Sequence, residues 1–434
     1  MGARTFGSEV RWTEGWAMNR LLALFVDKLI RHGHLEIAAS DGVRRRFGDG
    51  AGPKIVVRIA DRAAERELLL NPELALGELY MDGRLELIEG DLYDFVALAA
   101  ENSMALGGSR WVKLLEKARI ALSRFQRRNN RKRAKTNVER HYDHDRRLYG
   151  FFLDADQQYS CAYFEHEGQS LEEAQLAKKR HLAAKLLIEE GHNVLDIGSG
   201  FGGLALYLAA VVGARADGVT LSEEQFAISS RRAAESGLGD RVQFRLQDYR
   251  DVAERYDRIV SVGMFEHVGL AAYEEFFGAV RRQLKDDGVM VLHSIGRSEG
   301  PGATNPWIRK YIFPGGYIPS LSETTAAIER AGLYVTDIEI LRLHYADTLK
   351  EWRRRFLAHR DEIKAIYDER FCRMWEFYLV GSEVAFRVYG HMVFHIQLAK
   401  RQDVVPRTRD YVGEREAQLR KRESQKGAIW RVAS

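Results

Sequence analysis

The sequence predicts an α/β fold, a doubly wound and largely parallel sheet, and three observations carry that prediction. The stretch Val194-Leu-Asp-Ile-Gly-Ser-Gly-Phe-Gly-Gly203 reads as a buried strand that ends in a glycine-rich turn and passes into a helical pattern over Leu204–Ala210. Short apolar strands then alternate with helical segments for the next 140 or so residues, the order expected of strands joined by crossover helices. Asp196, Thr220, Asp248, Glu266 and His293 all fall at the carboxyl ends of those strands, where ligands lie in such sheets.

The glycine turn has a physical logic. A strand turning sharply into a helix needs residues free of a Cβ, and Gly198, Gly200 and Gly202 supply them. They also let backbone N–H groups approach a ligand at the positive end of the helix. Glycine connectors of this kind serve many doubly wound sheets. With Asp196 two residues ahead of the first glycine, D-x-G-x-G-x-G resembles motif I of the S-adenosylmethionine-dependent methyltransferases. The resemblance implies a Rossmann-like class I methyltransferase sheet of seven strands.

Further strands are expected at Ala216–Thr220, Val242–Leu246, Ile259–Val262, Val289–His293 and near Leu333–Ile340. Ser222 with Glu223, Glu224 and Gln225 reads as a capped helix start, and another helix begins near Ser322. Two helical segments, 346–360 and 362–380, precede Val388–Leu398, which returns as the last strand.

Upstream, Leu22, Phe25 and Leu29 stand at helical spacing. Leu35 and Ile37 alternate with polar residues before an Asp41-Gly42 turn signal, and Ile55–Ile59 reads as a strand. Asn71-Pro72 starts a helical stretch, Gly77–Gly83 reads as turn-rich, and Leu92–Ala99 closes a small α+β unit. The expected organisation is a small N-terminal lipid-binding or dimerisation domain over 15–105, a linker helix over 106–137, a catalytic domain over 138–405 and a basic tail over 406–434.

Composition narrows the class. At 434 residues, 45% apolar and 29% charged, the chain is a globular protein of two or three domains. Two cysteines make no disulfide framework, and no C-x-x-C pair suggests zinc, so no metal site is expected. No signal peptide and no membrane span is read from the chain, and a cytoplasmic location is expected.

The net charge of +4 is unevenly placed: residues 110–135 hold eleven Lys or Arg and one acid, Glu116. Trp111, Leu115, Ala118, Leu122 and Phe125 form an apolar stripe beside that basic face. This is the composition of an interfacial helix on anionic phospholipid, and equally of a linker helix packed on a neighbouring domain. Nucleic acid ranks third, since no base-reading motif accompanies the basic block, and no nucleic-acid partner is expected.

The resemblance sharpens at Tyr159-Ser-Cys-Ala-Tyr-Phe-Glu165 followed by Val194-Leu-Asp-Ile-Gly198. These residues resemble the cyclopropane fatty acid synthases and their mycolic-acid relatives. Further signatures follow in order: Gly218-Val-Thr-Leu-Ser222 with Gln225, Gln247-Asp-Tyr249, Met264-Phe-Glu-His-Val-Gly269, His293-Ser-Ile-Gly296, Tyr311-Ile-Phe-Pro-Gly-Gly316 and Tyr345. The match covers about 138–400, and the small domain ahead of it resembles the longer, phospholipid-acting branch. His144-Asp145-Arg146-Arg147 departs from the family's Gly-Asn after the His-Tyr-Asp of 141–143, and Ser382 stands where some relatives carry a cysteine.

The resemblance implies S-adenosyl-L-methionine as cofactor. Tyr159 and Ser160 would cover its methionine end, and Asp196, Gly198, Ser199, Gly200 and Gly202 would pass its backbone. Thr220, Leu221 and Gln225 would contact the ribose, and Gln247, Asp248 and Tyr249 the adenine. It also implies a bicarbonate ion held by Cys161, Glu266, His293, Ile295 and Tyr345, with Cys161 and Ile295 acting through the main chain.

The implied activity is methylene transfer to the cis double bond of an unsaturated phospholipid acyl chain. Its rivals are C-methylation of the same alkene without ring closure, and a non-catalytic lipid-binding protein. A homodimer peripherally associated with the inner face of the membrane is expected. Methyl transfer to an alkene generates a carbocation that aromatic rings stabilise, and Tyr163, Phe164, Phe265, Tyr311, Phe313 and Tyr317 are candidates to line that channel. Read singly, His293 is a satisfied structural histidine, Glu266 a helix-start carboxylate and Tyr345 a core residue; the joint pattern favours the site.

Overall fold

In the computed structural model, which describes residues 18–38, 43–106 and 146–426, Asn19 accepts a bond from Leu21 N–H and starts α1 (Arg20–Leu29). Leu22 and Val26 are buried there, whereas Phe25 turns to the rim at 38% exposure. Four strands follow: β1 (His34–Ala38), β2 (Arg44–Phe47), β3 (Lys54–Ile59) and β4 (Leu85–Glu89). They form a sheet in the order β2-β1-β3-β4, with β1 and β3 parallel. Helices α2 (Arg62–Leu70) and α3 (Pro72–Met81) connect β3 to β4, and α4 (Leu92–Leu106) follows.

The expectation of turn-rich backbone over Gly77–Gly83 is corrected, because α3 runs to Met81. Gly77 serves a close approach: a Cβ there would lie 2.4 Å from the Trp307 indole. Only Gly83, at φ +69°, makes a turn. The small unit rests on the rest of the chain through Phe377 and Val380, which share its core, and through Tyr80 Oη, which donates to Glu376 Oε2 at 3.0 Å.

After α5 (Arg146–Phe152), α6 (Leu171–Lys185) opens with a reciprocal Ser170–Glu173 capping box. The large sheet then builds from β5 (Asn193–Ile197), α7 (Gly203–Tyr207, continued as a π-turn through Val212), β6 (Arg215–Thr220), α8 (Glu223–Glu235), β7 (Val242–Leu246), β8 (Tyr256–Val262), α9 (Tyr273–Gln283) and β9 (Leu284–Arg297). Next come α10 (Pro306–Tyr311), α11 (Leu321–Arg330), β10 (Tyr334–Ile340), α12 (His344–Ala358), α13 (Arg360–Ile366), α14 (Glu369–Arg387), β11 (His391–Ala399) and α15 (Asp410–Lys426).

Strand order is β10-β11-β9-β8-β5-β6-β7, the seven-stranded sheet the motif predicts. The five central and right-hand strands are parallel, and β11 inserts antiparallel between β9 and β10. Strand order reverses at β5, so a crevice opens between the carboxyl ends of β5 and β8.

The segment read only as a basic tail folds over Asp410–Lys426 into α15, with Leu419 and Glu423 buried. The basic 110–135 stretch and the first half of the 144–147 departure, His144-Asp145, lie outside the described residues, whereas Arg146 and Arg147 begin α5. Among the described residues, no helix is long and apolar enough to cross a membrane.

Candidate active site

The crevice is shaped first by backbone. Gly198 at φ +80° sits where a Cβ would lie 2.7 Å from Met264, and its N–H, with that of Ser199, donates to Val219 O at 2.9 and 3.1 Å. Gly202, at φ +86°, caps α7 and passes under Phe244, where a Cβ would stand 2.6 Å away. Gly198, Ser199 and Gly200 line the resulting cleft with Asp196, whereas Gly202 does not reach it and serves the packing behind the turn.

The other residues expected to hold the cofactor all face the same cleft. Thr220 Oγ donates to Gln225 Oε1 at 2.9 Å, so β6 and the start of α8 present Thr220, Leu221 and Gln225 as one edge. Beyond β7, Gln247 Nε2 donates to Asp251 O at 3.0 Å, and the Asp248 carboxylate accepts from Arg250 Nη2 at 2.6 Å. Tyr249 packs edge-on against Phe276. At the opposite end Tyr159 stacks on Trp352, its hydroxyl 2.9 Å from Tyr378 Oη.

Several lining residues escaped sequence reasoning, Gln158, Arg250, His267 and Lys178 among them. Lys178 of α6 is buried and donates through Nζ to Gln158 Oε1 at 2.7 Å and Ser160 Oγ at 2.8 Å. Burial pulls its ammonium down to about 8 and pushes the nearby Asp196 carboxyl up to about 7; in both, the charged form is the one that desolvation penalises. The Ser170–Glu173 capping box was the available signal for α6. Its charged residues hid it, because Lys178, Lys179, Arg180, His181 and Lys185 are all buried.

The residues expected to hold an anion sit just beyond the cleft's inner wall. Glu266 Oε1 accepts from Ile295 N–H at 2.6 Å, and Oε2 is buried without a hydrogen-bond partner. Burial pushes this carboxyl up to about 7. Ile295 thus acts through its main chain, but on Glu266. His293 O accepts from Gly263 N at 3.0 Å, which ties its strand to the cleft lining, and its Nδ1 lies 2.8 Å from His395 Nε2.

Cys161 follows Ser160 and its thiol donates to Ala162 O at 3.2 Å; burial pushes its pKa well above the usual thiol range, which favours the protonated thiol. Tyr345 packs against Trp352 and Phe386, in the same apolar cluster as Cys161, with Ile295 at its margin. Of the aromatic candidates, Phe265 is fully buried against Tyr273 and belongs to the core, not a channel. Tyr317 Oη is turned to Glu323. Tyr163, Phe164, Tyr311 and Phe313 are half-buried around the Cys161–Tyr345 cluster.

This arrangement is a crevice at a sheet's switch point, with a buried, partly unpaired carboxyl and a neutral imidazole behind it. The model of the mycolic acid cyclopropane synthetase family matches residues 129–396. This chain belongs to that family. A model described only as a domain of unknown function matches residues 27–108, across the small N-terminal unit.

Over 79% of this chain and 87% of the relative, it is 39% identical to the cyclopropane-fatty-acyl-phospholipid synthase of Escherichia coli. A probable fatty acid methyltransferase of Pseudomonas putida is 37% identical over 82% of this chain and 89% of its own length. The solved structure of mycolic acid cyclopropane synthase CmaA1 complexed with SAH and CTAB is 32% identical, covers 61% of this chain and 97% of that one, and superposes with a TM-score of 0.57. Membership makes the chain an S-adenosylmethionine-dependent methyltransferase.

Proposed function

We propose that this enzyme moves a methylene group from S-adenosylmethionine to the cis double bond of an unsaturated phospholipid acyl chain, leaving a cyclopropane ring. The observation that carries the reading is Glu266. A buried carboxyl with one oxygen held by a backbone N–H and the other without a hydrogen-bond partner is suited to hold the base that must take a proton from the delivered methyl, a step that ring formation requires.

The cofactor supplies an electrophilic sulfonium methyl, and the chain's residues place it. The glycine turn would admit its backbone, Thr220 and Gln225 would hold the ribose, Gln247, Asp248 and Tyr249 the adenine, and Tyr159 and Ser160 the methionine end, all of them lining one cleft. An isolated alkene is a weak nucleophile, so alignment and exclusion of water supply much of the rate. Half-buried Phe164 and Phe313 would present aromatic faces to the cation that forms, whereas the Tyr163 ring is stacked on His181 and His344 and Tyr311 lies under Lys310 and Arg370.

A proton must then leave the delivered methyl, and a bicarbonate ion held here would supply an oxygen base for it. The residues fit that ion: Glu266 Oε2 is an unpaired buried atom on a carboxyl raised to about 7, so it can donate to an anionic oxygen. With Nδ1 engaged by His395, His293 has Nε2 left for the same anion. Cys161 through its main chain and Tyr345 would complete the cage.

The name of the Pseudomonas putida relative favours a second reading, C-methylation of the same alkene to a methyl-branched or methylene-bearing chain. The two differ in which proton leaves. Vesicles of cis-unsaturated phospholipid, treated with the purified protein and S-adenosylmethionine, decide between them: a gain of one methylene that resists ozone supports ring formation, and ozone cleavage supports the second reading.

We also place the enzyme on the membrane surface as a peripheral protein. The basic, aromatic 110–135 stretch supports this, as does the outer face of α1, where Leu21 and Leu24 are 66% and 57% exposed beside Arg20 and Lys28. A homodimer would set two such faces on one anionic bilayer and raise avidity.

A further inference from the structure

Behind the Glu266 cluster lies a row of titratable groups that the chemistry above does not use. Register on the sheet sets His395 of β11 opposite His293 of β9, with 2.8 Å between His293 Nδ1 and His395 Nε2. His395 is fully buried, and its other nitrogen, Nδ1, has no hydrogen-bond partner. The next ring is His181 of α6, its centroid 5.5 Å from that of His395. His181, Glu339 and His395 each bring a nitrogen or carboxylate oxygen to within 4.8 Å of the other two. His181 bonds Glu339 through Nε2 at 2.7 Å and Glu416 of α15 through Nδ1 at 2.6 Å. The Glu416 side chain is 18% exposed, so the row reaches water.

A cation would be poorly received here. Lys185 Nζ stands 2.5 Å from Glu339, Arg409 borders the same carboxylate, and both nitrogens of His181 are already taken by carboxylates. Closely spaced groups that can each accept and release a proton are instead suited to moving one.

We propose that His293, His395, Glu339, His181 and Glu416 form an exit route for the proton released in each turnover, a reading that rests on the acyl-chain chemistry proposed above. Ring closure breaks one C–H bond of the delivered methyl, and its electron pair forms the second new carbon–carbon bond. The proton passes to the base beside Glu266, which must shed it before the next turnover. His293 accepts at Nε2 and gives its Nδ1 proton to His395 Nε2. His395 releases its own Nδ1 proton to Glu339, Glu339 passes one to His181 Nε2, His181 gives its Nδ1 proton to Glu416, and Glu416 gives one up to water. Each group gains one proton and loses one, so charge balances. Burial holds both His293 and His395 well below the usual histidine range, so each rests neutral, with one N–H and one lone pair, that of His395 Nε2 facing His293 Nδ1.

The test uses the full chain, S-adenosylmethionine and vesicles of cis-monounsaturated phosphatidylglycerol. His395→Gln keeps an amide near Nε2 but cannot pass a proton along. Its kcat should fall roughly tenfold to a hundredfold, with a larger solvent deuterium isotope effect, while SAH affinity and the KM for S-adenosylmethionine stay within about twofold. Glu416→Gln, at the surface, should show a smaller fall and the same isotope signature, and the double variant should be no slower than His395→Gln. A wild-type rate and isotope effect in His395→Gln would overturn the route, as would loss of SAH affinity in step with rate. If His395→Gln does not fold, Glu416→Gln decides alone by its isotope effect. Unchanged vesicles with the wild-type protein would instead overturn the acyl-chain reading, and the route with it.

Discussion

One wall of the cleft, the turn from β5 into α7, is made by backbone conformation within a few residues. The facing wall, α6 with the segment that leads to Cys161, is made by side chains whose partners lie far along the chain. Arg180 of α6 reaches Glu423 at 2.8 Å across 243 residues, and Glu423 also accepts from Tyr207 Oη at 2.7 Å. Local backbone demands leave a mark on sequence, because only glycine tolerates φ near +80° under a neighbouring side chain. Buried ion pairs leave none, because a lysine paired inside and a lysine in water are the same letter.

If the backbone wall works as described, the largest effect belongs to Gly198→Val. A branched side chain at φ +80°, 2.7 Å from Met264, combines backbone strain with overpacking and should cost about 4 kcal/mol. Isothermal titration should then show SAH binding lost; wild-type affinity would break the account of this wall. The side-chain wall is tested by Glu423→Gln, which leaves Glu165, at 3.2 Å, as the one carboxylate on the buried Arg180 guanidinium and should cost about 2 kcal/mol in denaturant unfolding. A loss near zero would mean that α15 merely rests on α6.

An effect of similar size probes the cluster between the walls. The folded protein keeps a proton on Glu266 up to about pH 7, whereas the carboxyl's ordinary value is 4.5. Between those values the folded state binds more protons than the unfolded chain, so this group's contribution to stability falls as pH rises. Glu266→Gln has no such loss. Its stability relative to wild type should climb by about 2 kcal/mol between roughly pH 5 and pH 7.5, read from urea melts at each pH. A constant difference would place Glu266 in a wetter setting than its burial indicates.

The same contrast explains how much of the fold and site could be read from sequence. The strands from β5 to β11, the capped start of α8 and the residues at the strand ends follow from period-2 apolar runs, turn residues and caps. α6 has no apolar stripe, so its capping box went unread and Lys178 with it. Gly77 looked like a turn residue because sequence cannot distinguish a glycine that bends the chain from one that admits an indole. Gly202 belonged to the motif but serves the packing behind it, and Phe265 looked like a channel residue but fills the core. His395 gave no signal, since its meaning comes from the antiparallel register that sets it opposite His293.

The central claim is that Glu266 holds a proton acceptor beside a sulfonium methyl aimed at an alkene. Product formation by wild type and Glu266→Gln on cis-unsaturated phospholipid vesicles, with SAH affinity measured alongside, tests it most directly. The account predicts an ozone-resistant product one methylene heavier from wild type, a rate at least about a hundredfold lower for Glu266→Gln, and nearly equal SAH affinity. A variant as fast as wild type, or a methyl group found on a heteroatom, would contradict it.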